Sequence, residues 1–235
     1  MRNEPADDGG SGDSGEDPLT NDTGDPQQGT LRMSVLDSNV ESNLGNMGIY
    51  RITLNSVDGF EGPVALGTDD VPEGWDVSFE SDGVVTLAAG ESRQIDVQVE
   101  FSTTGTYGNQ GFSVNASNET FDTQSVELSA DVENVVELEI ANNTGGQSHV
   151  FPSATIRLGT AIRFVNMDTS QPHRIHSNFG GVGFPHQDNN MQLAPSVGEA
   201  GGIYEFTVDQ AGLYSGWYCH VHGRNVGEGQ FDVIE

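Results

Sequence analysis

Apolar side chains occupy every second position in the run Ile95-Asp96-Val97-Gln98-Val99-Glu100-Phe101. The same alternation recurs at Tyr50, Ile52 and Leu54. Because successive side chains of a β-strand point to opposite faces, this period of two predicts strands with one face in a core. No segment carries a sustained helical period, and turn signals such as Asp82-Gly83 interrupt the runs. We therefore expect an all-β protein.

Two β-sandwich domains are predicted, over residues 31–132 and 133–235, after a disordered acidic segment at residues 1–30. The first 30 residues contain no Val, Ile, Phe, Tyr or Trp, so they bury too little apolar surface to offset the entropy of ordering. Such a segment is typical of a stalk that follows a removed export signal, which is itself absent from this sequence. We expect a periplasmic, cell-surface or extracellular location, with tethering through this linker.

The charge of the chain is strongly negative, with 8 Lys+Arg against 36 Asp+Glu and a formal net charge of −28. Nucleic acid is an unsuitable partner, because binding to a polyanion depends on cationic side chains that displace counterions. Concentrated salt would screen the repulsion among the carboxylates, so the composition favours a halophilic or marine source. No apolar run approaches the roughly 20 residues that a membrane-spanning helix needs.

Residues 31–132 contain no His and no Cys, and therefore offer no soft metal ligands. They include Pro72-Glu73-Gly74-Trp75-Asp76-Val77, followed by Leu87-Ala88-Ala89-Gly90 and an alternating strand. These features loosely resemble immunoglobulin-like modules of exported prokaryotic proteins. The resemblance implies a role in spacing or adhesion rather than in chemistry.

All six His and the single Cys lie beyond residue 133. Cys219 begins the run Cys219-His220-Val221-His222, whereas His173 lies far upstream. A thiolate at a strand end, one imidazole from the adjoining loop and one from a distant strand would surround a single ion. One thiolate with two imidazoles favours copper, because structural zinc usually takes four ligands that include several Cys.

Several segments of this second half follow one another in a characteristic order: Phe151-Pro152-Ser153-Ala154-Thr155-Ile156, Asn166-Met167-Asp168, Pro172-His173, Tyr204-Glu205-Phe206-Thr207-Val208, Gly212-Leu213-Tyr214, Cys219-His220-Val221-His222 and Gly229-Gln230-Phe231-Asp232-Val233. In this order they resemble the cupredoxins, the blue copper proteins of the plastocyanin and azurin type. The resemblance implies a Greek-key sandwich and one type 1-like copper ion held by His173, Cys219 and His222. It also implies one-electron transfer with a redox partner such as a cytochrome, an oxidase or a reductase.

The axial ligand of the cupredoxin pattern is missing. The family usually has a Met a few residues after the second His, but Val226 and Gly227 take that place here. Loss of the thioether raises the redox potential if the position stays dry, or opens a coordination site if a small ligand enters. Candidate replacements are Met191, the backbone carbonyl of Pro172 and the carboxylate of Glu228.

The spacing before the Cys also departs from the family. The resemblance makes Tyr214 the corner tyrosine, but the interval from Tyr214 to Cys219 is one residue longer than usual. A β-bulge at Gly216 would absorb the extra residue and re-aim the Cys.

Three further histidines, His176, His186 and His220, are candidate auxiliary ligands or ordinary exposed residues. Alternation turns His220 away from the face of Cys219.

Two other functions stay open beside electron transfer. The auxiliary histidines would suit copper sequestration or delivery, and the missing axial Met would allow a reaction of nitric oxide or superoxide at an open copper position. Whether the chain is an enzyme is left open. A multicopper oxidase is disfavoured, since its trinuclear cluster needs histidine pairs from two domains.

Overall fold

The structure is a computed structural model that describes residues 29–80, 82–141, 153–176, 186–222 and 229–235. These residues form fifteen β-strands joined by turns and bends, and no helix occurs among them. The predicted all-β class is confirmed. Within the same ranges, no helix is long and apolar enough to cross a membrane.

One four-stranded antiparallel sheet has the order β1 (Thr30–Val35), β3 (Met47–Val57), β7 (Ser92–Phe101) and β5 (Trp75–Phe79). It contains both alternating runs found in the sequence. Tyr50 of β3 lies opposite Val97 of β7, and Ile52 lies opposite Ile95. All four side chains are buried, so the alternation places one face of this sheet in a core as predicted.

A seven-stranded sheet has the order β13 (Ile203–Thr207), β11 (Ala161–Asn166), β9 (Phe121–Ile140), β8 (Gly108–Asn118), β4 (Gly62–Asp69) and β6 (Val84–Leu87), with β2 (Asn39–Leu44) paired in parallel to β9. The strand β9 is 20 residues long. It pairs antiparallel with β8 as far as Val132 and parallel with β11 from Val135 onward. The expected boundary between residues 132 and 133 thus falls inside one strand, and the division into two domains stays a prediction.

A second four-stranded sheet has the order β10 (Ala154–Arg157), β15 (Gly229–Ile234), β14 (Gly212–Cys219) and β12 (Ile175–His176). The strand β10 runs parallel to β15, whereas β14 runs antiparallel to both β15 and β12. This sheet therefore carries the end of β14 at Cys219 next to β12.

Aromatic rings pack between the sheets. Phe112 of β8 contacts Tyr50 of β3 and Trp75 of β5, with ring centroids 5.8 and 6.2 Å apart. Phe164 of β11 lies 4.6 Å from Trp217 of β14, again between ring centroids. The seven-stranded sheet thus packs against one four-stranded sheet through β8 and against the other through β11. Both contacts are packing of sheet against sheet, and β9 lies between β8 and β11 in the shared sheet.

Side-chain contacts connect the loop after β7 with β10. Thr103 Oγ1 donates a hydrogen bond to the Thr155 carbonyl at 2.5 Å, and Arg157 Nε donates to the Thr104 carbonyl at 2.7 Å. The Arg157 guanidinium also lies 3.6 Å from the Glu73 carboxylate. These bonds hold the early part of the chain against the sheet that carries Cys219.

Some predicted features lie outside the described residues. They include the acidic linker as far as residue 28, the Phe151-Pro152 segment, and Val226, Gly227 and Glu228. Of the linker residues that are described, Thr30 already begins β1, one residue before the expected start of the first sandwich.

Candidate metal centre

The structure brings His173, Cys219 and His222 together. One ring nitrogen of each His and the Cys219 Sγ atom all lie within 4.8 Å of one another. Cys219 is the last residue of β14, and the His222 amide donates to the Cys219 carbonyl at 3.2 Å in the turn that follows. His173 lies before β12, in an isolated bridge with Met191. The convergence expected from the sequence is present, and the role of these residues as metal ligands stays a prediction.

The strand β14 contains an extra residue close to this group. Ser215 pairs with Gln230 of β15, but Trp217 pairs with the preceding residue of β15, Gly229. Gly216 therefore has no position of its own in the register. The predicted β-bulge is confirmed.

The bulge decides which way Cys219 points. Tyr214, Trp217 and Cys219 are all buried, although Trp217 comes three positions after Tyr214 and strict alternation would give an even interval. In a regular strand the five positions from Tyr214 to Cys219 would turn Cys219 outward, and the bulge restores its inward direction. The Tyr214 hydroxyl donates to the Gln210 carbonyl at 2.8 Å, which is the contact of a tyrosine corner.

The Cys219 thiol is fully buried and has two polar neighbours. The Arg174 amide donates to Sγ at 3.4 Å, and His222 Nδ1 lies 3.2 Å from Sγ. The pairing of Ile175 in β12 with Cys219 places the Arg174 amide there. The amide bond restrains the Sγ atom, as a ligand atom in a preformed site requires.

A buried carboxylate fixes the orientation of His173. Asp168 Oδ2 lies 3.5 Å from His173 Nε2, and both side chains are fully buried. Burial alone would raise the pKa of Asp168, but hydrogen bonds from Ser170, Gln171 and His173 outweigh it and hold the pKa below its ordinary value. An ionised carboxylate beside Nε2 favours the proton on that nitrogen. His173 Nδ1 is then the nitrogen that can bind a metal.

The loop that carries His173 is held by polar side chains. Asn166 Nδ2 donates to the carbonyls of Gln171 and Gln192, at 3.3 and 2.9 Å. The side-chain oxygen of Gln171 lies 3.5 Å from His222 Nε2. His222 thus has an oxygen acceptor at Nε2 and the Cys219 sulfur at Nδ1, so both histidines present Nδ1 toward the same region.

Sequence reasoning did not assign these supporting roles. Asn166-Met167-Asp168 belongs to the family pattern, which gives no contact for it, and no local pattern distinguishes Gln171. The one local signal is Asp168 two residues before Ser170, a spacing at which a carboxylate accepts from a backbone amide. The contact with His173 depends on how the loop folds back, which the spacing does not reveal.

The three candidate ligand atoms lie close together. An ion holds nitrogen and sulfur ligands at about 2.0–2.3 Å, so ligands of the same ion lie roughly 3–4.5 Å apart. The candidate atoms all lie within 4.8 Å of one another, close to the upper end of that range. Two of the three residues are buried and the third is partly buried, so the group is largely closed to water.

The structure describes two of the three candidate axial residues, Met191 and Pro172. Met191 is buried, and its amide donates to the His173 carbonyl at 2.7 Å, so its backbone lies beside the group. Pro172 is half-buried and directly precedes His173. Glu228 lies outside the described residues. The axial ligand therefore stays a prediction.

The other three candidates, His176, His186 and His220, also come together. Their ligand nitrogens lie within 4.8 Å of one another, on a half-buried residue of β12 and two exposed residues. Cys219 is buried and His220 is exposed, as alternation predicts. Partial desolvation lowers the pKa of His220, and so do the charges of Arg174, His176 and His186, which favours the neutral imidazole.

Comparisons with known proteins give no family. No protein-family model and no curated protein matches the chain. Solved structures with some likeness include a family 123 glycoside hydrolase from Clostridium perfringens, at 11% identity and a TM-score of 0.38 over 44% of this chain and 27% of that one. Domains 4 and 5 of the S-layer protein SbsC give 18% identity and a TM-score of 0.32, over 45% of this chain and 53% of that one. The chain thus spans about a quarter to a half of these structures.

Proposed function

We propose that this chain is a mononuclear copper protein of the cupredoxin type that carries one electron. His173, Cys219 and His222 are the proposed ligands. The observation that carries the proposal is the approach of one thiol and two imidazoles, from separate segments, to within 4.8 Å in a largely buried site. Copper, when bound, supplies a one-electron couple between its two common oxidation states.

The donor set favours copper over zinc. The chain has a single Cys, so a zinc site with several thiolates cannot form within it. One thiolate with two imidazoles is the donor set of blue-copper electron-transfer sites. The Arg174 amide at Cys219 Sγ and the Asp168 carboxylate at His173 Nε2 support that set, since the first restrains the sulfur and the second favours the imidazole tautomer that presents Nδ1.

The surroundings suit a carrier rather than a flexible catalytic site. Cys219 lies at the end of a paired strand, and Asn166 and Gln171 hold the loop that carries His173. Ligands that keep their positions in both oxidation states lower the cost of reorganisation during electron transfer. Trp217 and Phe164, with ring centroids 4.6 Å apart, pack in the core of the same sandwich.

The partner and location follow from the same proposal. We propose an extracytoplasmic protein that exchanges electrons with a cytochrome, an oxidase or a reductase. The net charge of −28 favours a partner with a basic docking patch in dilute salt, and concentrated salt would weaken that attraction. The immunoglobulin-like part would act as a spacer.

Copper titration of the full chain tests the proposal. We expect an intense visible band from thiolate-to-copper charge transfer, which saturates at one equivalent and disappears reversibly on one-electron reduction. The Cys219→Ser variant should lose the band, whereas His220→Ala, which changes an exposed histidine outside the proposed ligand set, should keep it. A colourless copper-loaded protein, or a band that survives in Cys219→Ser, would reject the proposed site.

A further inference from the structure

The histidines outside the Cys219 group form a compact cluster of their own. Ring centroids of His176 and His186 lie 4.4 Å apart, those of His176 and His220 lie 5.0 Å apart, and those of His186 and His220 lie 5.9 Å apart. The candidate ligand nitrogens lie within 4.8 Å of one another. These are distances at which three imidazoles can share one ion.

Strand pairing fixes two of the three histidines. His176 of β12 lies opposite Tyr218 of β14, and the His220 amide donates to the Arg174 carbonyl at 2.8 Å. His176 and His220 are therefore diagonal neighbours across this pair of strands. The Tyr218 ring lies against His176, at 5.1 Å between ring centroids, and limits the positions open to that imidazole.

Two hydrogen bonds hold the segment of His186 beside β12. The Ile175 amide donates to Gln187 Oε1 at 2.8 Å, and the Gln187 amide donates to the Ile175 carbonyl at 3.3 Å. Asp188 Oδ1 lies 3.7 Å from His186 Nδ1. A carboxylate beside one ring nitrogen leaves the other, Nε2, available as a ligand.

We infer that His176, His186 and His220 form a second metal site, at the protein surface, for a divalent transition-metal ion such as Cu²⁺ or Zn²⁺. Imidazole is a ligand that both ions accept. Three protein ligands leave at least one coordination position for water or another small ligand. The exposure of His186 and His220 gives solvent access to the ion, in contrast to the buried Cys219 group.

The two sites are distinct although they are neighbours in the sequence. Cys219 and His220 are consecutive, and their side chains lie on different sides of the strand pair, one buried and one exposed. The second site contains no sulfur. Copper bound there gives no intense thiolate band, so each site has its own spectroscopic signature, and the second does not depend on the function proposed for the first.

Metal titration of the full-length Cys219→Ser variant isolates the second site. We expect this variant to bind Cu²⁺ with a weak visible spectrum and an electron paramagnetic resonance signal of nitrogen ligation, and to bind Zn²⁺ in competition. Adding His176→Ala and His186→Ala should weaken this binding by at least about 100-fold, since loss of an outer-shell partner alone costs 10–100-fold. Adding Arg51→Ala and Asp96→Ala instead, which changes an exposed ion pair of the first sheet, should leave it unchanged.

If Cys219→Ser does not fold, the His176→Ala, His186→Ala variant of the chain that keeps Cys219 gives a second measurement. The parent chain should bind two equivalents of copper, and the His176→Ala, His186→Ala variant one, with the thiolate band unchanged. Equal stoichiometry and affinity with and without His176 and His186 would overturn the second site. Absence of the thiolate band from the copper-loaded parent chain would instead overturn the proposed function, so the two failures are distinguishable.

Discussion

The two histidine groups both draw on the segment around β12 and on the end of β14 but differ in chemistry and in access. His173 and Cys219 are buried, and a carboxylate and an amide support them. His186 and His220 are exposed and contain no sulfur. The difference shows how alternation along one strand pair can place two unlike donor sets next to each other. We expect the buried group to be coupled to folding and the exposed group to exchange its ion freely.

Deletion of Tyr218 should have the largest effect on this comparison. Trp217 and Cys219 are both buried and lie two positions apart after the bulge, so removing the residue between them turns Cys219 outward. We expect complete loss of the thiolate band and reaction of Cys219 with a thiol reagent, while circular dichroism still reports β-structure. Deletion of Gly216 is the matched control, because it leaves Cys219 four positions after Tyr214, an even interval that keeps the thiol inward, and it should retain the band. A Tyr218 deletion variant with an unchanged band would show that strand alternation does not orient the Cys.

In the metal-free protein, alanine substitution of a histidine should lower the free energy of unfolding far more in the buried group than in the exposed group. His173→Ala removes a fully buried ring and leaves the Asp168 carboxylate buried without it, so we expect the free energy of unfolding to fall by about 2–4 kcal/mol. His220→Ala, on the surface, should change it by about 0.5 kcal/mol or less. Urea unfolding measures both. Equal losses would contradict the difference in burial.

Asp168→Asn should weaken metal binding at the buried group alone. The variant keeps the shape of the side chain but removes the charge that holds the His173 tautomer. We expect affinity for copper at the thiolate site to fall about 10–100-fold, measured by competition with a chelator. Binding at the exposed group should stay the same. An unchanged affinity at the thiolate site would mean that Asp168 does not position His173.

Asp188→Asn gives the matched change at the exposed group, with a smaller effect. The Asp188 carboxylate is almost fully exposed and lies 3.7 Å from His186 Nδ1, so solvent screens much of its influence. We expect the affinity of the exposed group for Zn²⁺ to fall by less than about 10-fold, which is the lower limit for an outer-shell partner. If Asp188→Asn lowered the metal affinity of the exposed group as much as Asp168→Asn lowers that of the buried group, the proposed difference in outer-shell support between the groups would be wrong.

The sequence was sufficient for the strands and for the local geometry of β14. Alternation at Tyr50, Ile52 and Leu54 gave the buried face of β3, because a period of two assigns each side chain to one face. The one-residue excess between Tyr214 and Cys219 gave the bulge, because an extra residue must leave the register somewhere and Gly216 tolerates it.

Features that depend on the approach of distant segments were not predicted. Periodicity gives the face of a residue but not its partner strand, so it does not reveal that β9 continues across residues 132 and 133. The contact of Asp168 with His173 arises because their loop folds back on itself. The sequence allows the clustering of His176, His186 and His220 only as one alternative, since their spacing alone does not bring them together.

X-ray absorption at the copper edge, on the full chain carrying His176→Ala and His186→Ala and loaded with one equivalent of copper, tests the central claim most directly. The account predicts one sulfur ligand at about 2.3 Å or less and two imidazole nitrogens at about 2.0 Å. Copper bound only to nitrogen and oxygen would contradict the assignment of His173, Cys219 and His222.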